Sequence, residues 1–188
     1  MKYFLIETDE RNRNPYNINK NRAIDIRLLT KENINRIPLW NVMEMDFPRE
    51  GFFPDLLCDP CILVSKCYIK TIMMYQADIP YKCVKLWNKE SGVNATYFAP
   101  VLEEVECMSD KSQFNSIGNR IIRLVLDKDK IGTRAVFRIK GYEESCMVGR
   151  MDFVESLLRR EVEGIKLTEV GIAEDANMYD DEKNIMSY

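Results

Sequence analysis

The segment FFPDLLCDPCILVSKCYIKTIMMYQADIPY, residues 52–81, combines short apolar runs with one helical pattern. Ser65 is a favourable N-cap because its hydroxyl can accept a hydrogen bond from an unpaired N–H of the first helical turn. Residues 66–76 then repeat apolar side chains at helical spacing. The pair Ile79-Pro80 ends the pattern, since the residue before a proline is pushed out of the α region. We expect a helix here, flanked by short strands, at the centre of the core.

The chain before this segment predicts further strands. Residues 3–7 read as a first strand, and residues 22–28 alternate apolar and polar side chains as a half-buried strand does. Thr30 can cap a short helix that ends before Pro38. Residues 39–46 predict another strand, with Trp40 and Val42 on one face.

The chain after this segment is organised mainly as hairpins. Residues 82–87 and 95–98 flank a turn that contains Gly92, which predicts a β-hairpin. Residues 101–108 alternate with acids and predict an exposed face or an edge strand. Residues 120–126 and 134–140 form the clearest predicted strand pair.

A third short strand at 145–149 precedes a second helix, which begins with a predicted capping box at Asp152 and Glu155 and stops at Gly164. Residues 165–170 predict the last strand. The sequence therefore predicts an α+β fold with a mainly antiparallel sheet of about eight strands and two or three helices. We expect a single domain over residues 1–170, followed by an acidic tail at 171–188.

Charge and hydropathy limit the classes of partner. The net charge is −3, of which −4 lies in the tail, so the remaining chain carries +1. Such a balance argues against general nucleic-acid binding, which needs clustered positive charge. No apolar run approaches the ~20 residues of a membrane span, and the first residues do not resemble a signal peptide. We expect a cytoplasmic protein whose six cysteines are reduced thiols.

The chain contains no histidine. This excludes Ser–His–Asp triads, Cys–His pairs and histidine-ligated metals. The pair Cys58 and Cys61 has CxxC spacing, but no second CxxC completes a zinc site, so we interpret both as small side chains beside the core. No glycine-rich phosphate loop occurs. We therefore expect no metal, no cofactor and no enzymatic activity.

Three groups of polar or aromatic residues remain as candidate sites. Glu103, Glu104 and Glu106 could act in acid/base catalysis, form a solvated edge, or contact a basic partner. Trp40 and Trp87 are interpreted as core residues, although tryptophan is also a common interface anchor. The arginines that could line one face of the predicted hairpin are favoured as a solvated surface over a nucleic-acid site; they are Arg120, Arg123, Arg134 and Arg138.

Several short matches along the chain resemble an immunity-protein family of bacterial polymorphic toxin systems, which is typified by a Myxococcus protein and was long classed as a domain of unknown function. The matching residues are Lys2-Tyr3-Phe4-Leu5, Phe53-Pro54-Asp55-Leu56-Leu57 with Pro60 and Leu63-Val64-Ser65-Lys66, Tyr97-Phe98-Ala99-Pro100, Ser112-Gln113-Phe114-Asn115, IRLVLDKDK from Ile122 to Lys130, and Glu155-Ser156-Leu157-Leu158-Arg159-Arg160 with Gly164-Ile165-Lys166-Leu167. Glu161-Val162 depart from the family, whose members tend to have Gly-Ala there.

The resemblance implies a small cytoplasmic antidote that binds a cognate toxin domain and carries no catalytic residues. Charge opposite to a basic toxin cleft would place the contact at Glu103, Glu104 and Glu106. Two alternatives stay open: an interaction domain without a toxin partner, and an enzyme based on carboxylates or cysteine. The oligomeric state is left open.

Overall fold

A computed structural model describes residues 1–9, 18, 22–45, 53–114, 121–142 and 147–173. In chain order the strands are β1 Tyr3–Thr8, β2 Trp40–Glu44, β3 Leu56–Leu57, β4 Leu63–Val64, β5 Tyr81–Trp87, β6 Asn94–Pro100, β7 Glu104–Val105, β8 Gln113–Phe114, β9 Ile121–Arg123, β10 Val125–Leu126, β11 Val136–Ile139, β12 Met147–Arg150 and β13 Ile165–Ile172. The helices are α1 Lys66–Tyr75, α2 Lys128–Ile131 and α3 Met151–Leu158, and two 3-10 turns lie at Ile26–Leu28 and Ile34–Arg36.

These strands form two main sheets and a small ribbon. One sheet has the order β10-β13-β1-β12-β11-β7, the other has the order β2-β5-β6-β4-β3, and β8 pairs with β9. Most neighbours are antiparallel, and the three parallel pairs attach the edge strands β10, β7 and β2. The predicted α+β class is confirmed. The described strands exceed the predicted eight because several have only two residues.

The helix predicted at the centre of the core is confirmed. The Ser65 hydroxyl accepts a hydrogen bond from the Tyr68 N–H at 3.3 Å, which caps α1. Its buried face carries Tyr68, Ile69 and Ile72, and these side chains share one core with residues of both sheets and α3. The helix thus joins the two sheets through one apolar core.

Helix α3 lies close to the six-stranded sheet because β12 has a glycine, Gly149, one residue before its end. A Cβ at Gly149 would lie 2.7 Å from Ile6 Cδ1 and 2.9 Å from Phe153 Cδ1. The predicted capping box at Asp152 is wrong. The helix starts at Met151 without a side-chain cap, and the Asp152 carboxylate instead accepts a hydrogen bond from Arg150 Nε at 2.8 Å.

Two predicted strand arrangements are wrong. Residues 22–28 contain a 3-10 turn, because the Asp25 carboxylate accepts a hydrogen bond from the Arg27 N–H at 3.1 Å and stabilises a turn instead of a strand. Residues 120–126 and 134–140 do not pair. Asp127 caps α2 between them, so that β10 and β11 lie at separate places in the six-stranded sheet.

The five-stranded sheet has a second core on one face, formed by side chains such as Met43, Leu86 and Tyr97, with Ile24 and Ile37 packed against them. None of the described helices is long and apolar enough to cross a membrane. Most of the predicted acidic tail, residues 174–188, lies outside the described residues.

Candidate protein-interaction surfaces

The three predicted glutamates lie along and beside the edge strand β7, which pairs in parallel with β11. We call them the glutamate edge. Each forms an ion pair with a cation on or beside β11. The pairs are Glu103–Arg134 at 2.6 Å, Glu104–Arg138 at 3.2 Å and Glu106–Lys140 at 3.4 Å. The acidic charge is therefore balanced within the chain, and a role of this edge in binding a partner stays a prediction.

The ion pairs differ in exposure. The Glu103 side chain is 36% exposed and that of Glu106 is 80% exposed. The hydrogen bond from Arg134 lowers the pKa of Glu103 below its ordinary value of 4.5. Glu103 is therefore held as a carboxylate and is poorly suited to donate a proton at neutral pH.

A cleft of about 700 Å³ lies beside the glutamate edge. Its apolar walls include Ile62, Val101 and Leu102, and both Glu103 and Glu104 line it. Its remaining lining residues are Ile26, Arg27, Leu29, Thr30, Lys31, Glu32, Cys58, Pro60, Cys61, Pro100 and Arg138. The volume is in the range of small-molecule sites, and among its charged side chains Glu104 and Arg138 pair with each other.

The cysteines of the cleft are unsuited to nucleophilic chemistry. Burial raises the pKa of Cys61 to about 12, and the nearby Asp59 adds to the shift. The thiol is then protonated at neutral pH, and the thiolate is the reactive form. Cys58 is disulfide-bonded while Cys61 is a free thiol, so the CxxC residues are not bonded to each other.

The prediction that all six cysteines are reduced, which rested on the expected cytoplasmic location, is therefore wrong at Cys58. Cys146 lies outside the described residues. Within the described ranges, no group of three or more Cys, Asp or Glu side chains could hold a metal ion.

The arginines predicted to line one hairpin face are separated. Arg123 lies on the β8–β9 ribbon, whereas Arg134 and Arg138 pair with the glutamate edge. Arg120 lies outside the described residues.

The largest departure from expectation concerns the two tryptophans, which are exposed. Strand β2 alternates so that Asn41 and Met43 are buried, while Trp40 is 61% and Val42 is 46% exposed. On the neighbouring strand β5, Trp87 is 38% exposed. The interpretation of both tryptophans as core residues is wrong.

The register of β2 and β5 places these side chains on one face of the sheet. Val42 pairs with Lys85, and Glu44 pairs with Trp87. Paired residues in a sheet point to the same side, and so do residues two apart along one strand. Trp40, Val42, Glu44, Lys85 and Trp87 therefore form one surface, which we call the tryptophan face.

The tryptophans are exposed because the α1 core covers only the other end of this side of the sheet. Tyr81 and Phe98 stand on the same side as Lys85 by strand alternation and register, and both pack against the α1 core. Beyond them the sheet continues as the tryptophan face, where the side chains of Lys85 and Thr96 are exposed.

The strands beneath the tryptophan face are well fixed. Strand β5 is paired along its whole length with β6 and along five residues with β2. Asn41 Nδ2 donates to the Pro38 carbonyl at 2.8 Å, and Asn88 Nδ2 donates to the Met45 carbonyl at 3.1 Å. Both ends of β2 are thereby anchored, so the backbone beneath the tryptophan face is held in place.

The chain matches no protein-family model and no curated protein.

Proposed function

We propose that this protein is a non-enzymatic immunity protein that binds and neutralises a cognate secreted bacterial toxin domain. The observation that carries the proposal is the tryptophan face, where Trp40 and Trp87 stand exposed on hydrogen-bonded strands. Tryptophans are among the residues that most often dominate the energy of protein interfaces. Their placement on a fixed sheet lowers the entropy cost of binding.

The chemistry of the cleft supports a binding role over a catalytic one. Cys61 is held as a thiol and Glu103 as an ion-paired carboxylate. An enzyme of this composition would need an activated thiolate or a carboxyl group able to exchange protons near neutral pH. The class of partner is taken from the resemblance of several short sequence stretches to an immunity-protein family.

We place the protein in the cytoplasm, where an antidote would meet a delivered toxin. Disulfides are rare in the cytosol, so this location predicts that the bond at Cys58 is reduced in the cell. Fractionation of tagged protein, with thiol labelling before and after reduction, tests the location and the state of this bond.

The test is co-expression with the toxin domain encoded beside this gene, scored by survival and by co-purification. We expect the wild-type protein to rescue growth and to form a stable complex. Trp40→Thr combined with Trp87→Thr should abolish both, whereas Glu104→Gln combined with Glu106→Gln should retain both. Survival without complex formation, or full rescue by the tryptophan variant, would contradict the proposal.

A further inference from the structure

We infer that the partner of the tryptophan face presents a carboxylate surrounded by apolar side chains, and that Lys85 receives this carboxylate. The inference rests on the proposed function, since it names the chemistry of the partner that binds the same face. It reverses the charge relation expected from the sequence, where acids of this protein would meet a basic toxin cleft.

Lys85 lies within the tryptophan face and not at its border. Across the sheet its registered neighbours are Val42 on β2 and Thr96 on β6, and Trp87 is the next residue on the same side of β5. None of these side chains carries a charge. The ammonium group is therefore bordered on several sides by apolar or neutral groups.

Lys85 is exposed and forms no ion pair with any residue in the described ranges. Glu44, the acid on the same side of β2, lies one diagonal away and interacts with a group other than Lys85. The cations of the glutamate edge differ in this respect, because Arg134, Arg138 and Lys140 each have an acidic partner. Lys85 thus offers a charge that is available to another molecule.

Covering the tryptophan face would remove water from the Lys85 ammonium group. Burying a charge without a partner is costly, and a paired, hydrogen-bonded charge reduces that cost. A partner that covers Trp40 and Trp87 therefore binds best when it supplies a carboxylate at the position of Lys85. A basic group there would add like-charge repulsion, so Lys85 also selects against basic partners.

A peptide selection tests this chemistry without knowledge of the natural partner. A displayed random peptide library is selected on the full-length protein, and binders that also bind the Trp40→Thr, Trp87→Thr variant are discarded. We expect the remaining peptides to combine Asp or Glu with aromatic or aliphatic residues. The same selection on Lys85→Glu should enrich Lys or Arg in place of the acids. Lys70→Glu makes the same charge change on the exposed face of α1 and should select the original peptides.

Affinity measurements on one enriched acidic peptide sharpen the test. Lys85→Glu should weaken its binding by about tenfold or more, through like-charge repulsion. Lys85→Met keeps an apolar stem and should weaken binding less. Binding of the peptide to Lys85→Met should also depend little on salt concentration. Binding to the wild-type protein should weaken as the ionic strength rises to about 1 M, because salt screens the attraction between the charges.

The inference is overturned if the face-dependent peptides lack acids, if Lys85→Glu selects the same peptides, or if no face-dependent peptide is enriched. These outcomes are distinct from failure of the proposed function. A face that selects acidic peptides while the neighbouring toxin is not neutralised would support the inference and reject the immunity role.

Discussion

The glutamate edge and the tryptophan face both include an edge strand, but their side chains differ in whether they have partners within the chain. Each includes an edge strand held by a parallel pairing, β7 to β11 in one case and β2 to β5 in the other. At the glutamate edge the register brings Glu104 beside Arg138, and opposite charges meet within the chain. On the tryptophan face the register brings Val42 beside Lys85, which have no polar interaction to make. The charges of the first surface are paired within the chain, whereas the second surface leaves both tryptophans exposed.

The largest expected effect comes from removing the aromatic anchors. Trp40→Thr combined with Trp87→Thr should weaken partner binding by about 1000-fold, because removing an interface hot spot costs about 2 kcal/mol and two such losses sum to about 4 kcal/mol. Threonine retains a β-branched side chain suited to a strand. Calorimetric titration of the purified partner into the wild-type protein and into the variant measures the two affinities.

The single variant Trp40→Thr controls for folding, since Trp40 is the more exposed of the two tryptophans. It should cost about 1 kcal/mol of stability or less while still weakening binding. Unchanged affinity in a folded Trp40→Thr, Trp87→Thr variant would show that the partner does not bind the tryptophan face.

A smaller effect is expected on stability at the other surface. Glu103→Gln removes the carboxylate that pairs with Arg134 at 2.6 Å, and the Arg134 Nε is already buried without a hydrogen-bond partner among the described residues. Because the pair is about one-third exposed, the loss should be about 0.5–1 kcal/mol, the upper part of the range for such pairs. Urea unfolding measures it. Glu106→Gln should change stability by less, because the Glu106 side chain is 80% exposed. An equal loss at both positions would show that exposure does not decide how much these ion pairs stabilise the fold.

The stabilising effect of Glu103 should depend on pH. Its pKa is lowered in the folded protein, so this stabilisation is complete above the ordinary pKa of 4.5 and is lost as the pH falls through the lower folded-state pKa. The difference in unfolding free energy between wild type and Glu103→Gln should therefore be constant near neutral pH and shrink in acid. Unfolding curves over an acidic pH series test this, and a difference that grows in acid would have the wrong sign.

The smallest effect is expected for partner binding after charge reversal at the glutamate edge. Glu104→Lys combined with Glu106→Lys should change affinity by no more than about threefold, because residues away from the hot spots of an interface are energetically near-neutral. Competition binding against the wild-type protein resolves such a small difference. Loss of neutralisation by this variant would restore the sequence-based hypothesis that these glutamates contact the toxin.

Local signals in the sequence were sufficient for the central helix and the main hairpin. Ser65 caps α1 through a residue three positions away. The β5–β6 turn is fixed by Asn88, whose side-chain oxygen accepts from the Ser91 N–H at 2.8 Å, and by Gly92 at a positive φ of 71°. These interactions span a few residues, so their residue types are readable directly.

Long-range pairings decided what the sequence could not show. Strand β10 pairs with β13, near the far end of the described chain, and Glu103 meets Arg134 across 31 positions. The tryptophan face was missed for a different reason. Strand β2 is apolar on both sides, with Trp40 and Val42 opposite Met43, so alternation alone does not reveal which side is covered.

The tryptophan face also has a spectroscopic consequence. Trp40 and Trp87 are the two tryptophans of the whole chain, and both are partly exposed on the same surface. The indole fluorescence of the unlabelled protein therefore originates from that surface alone, with no contribution from an interior tryptophan. The emission wavelength of the indoles and their quenching by iodide would report whether the tryptophan face is exposed to water or covered by a partner. The protein thus contains its own optical probe of binding at this surface.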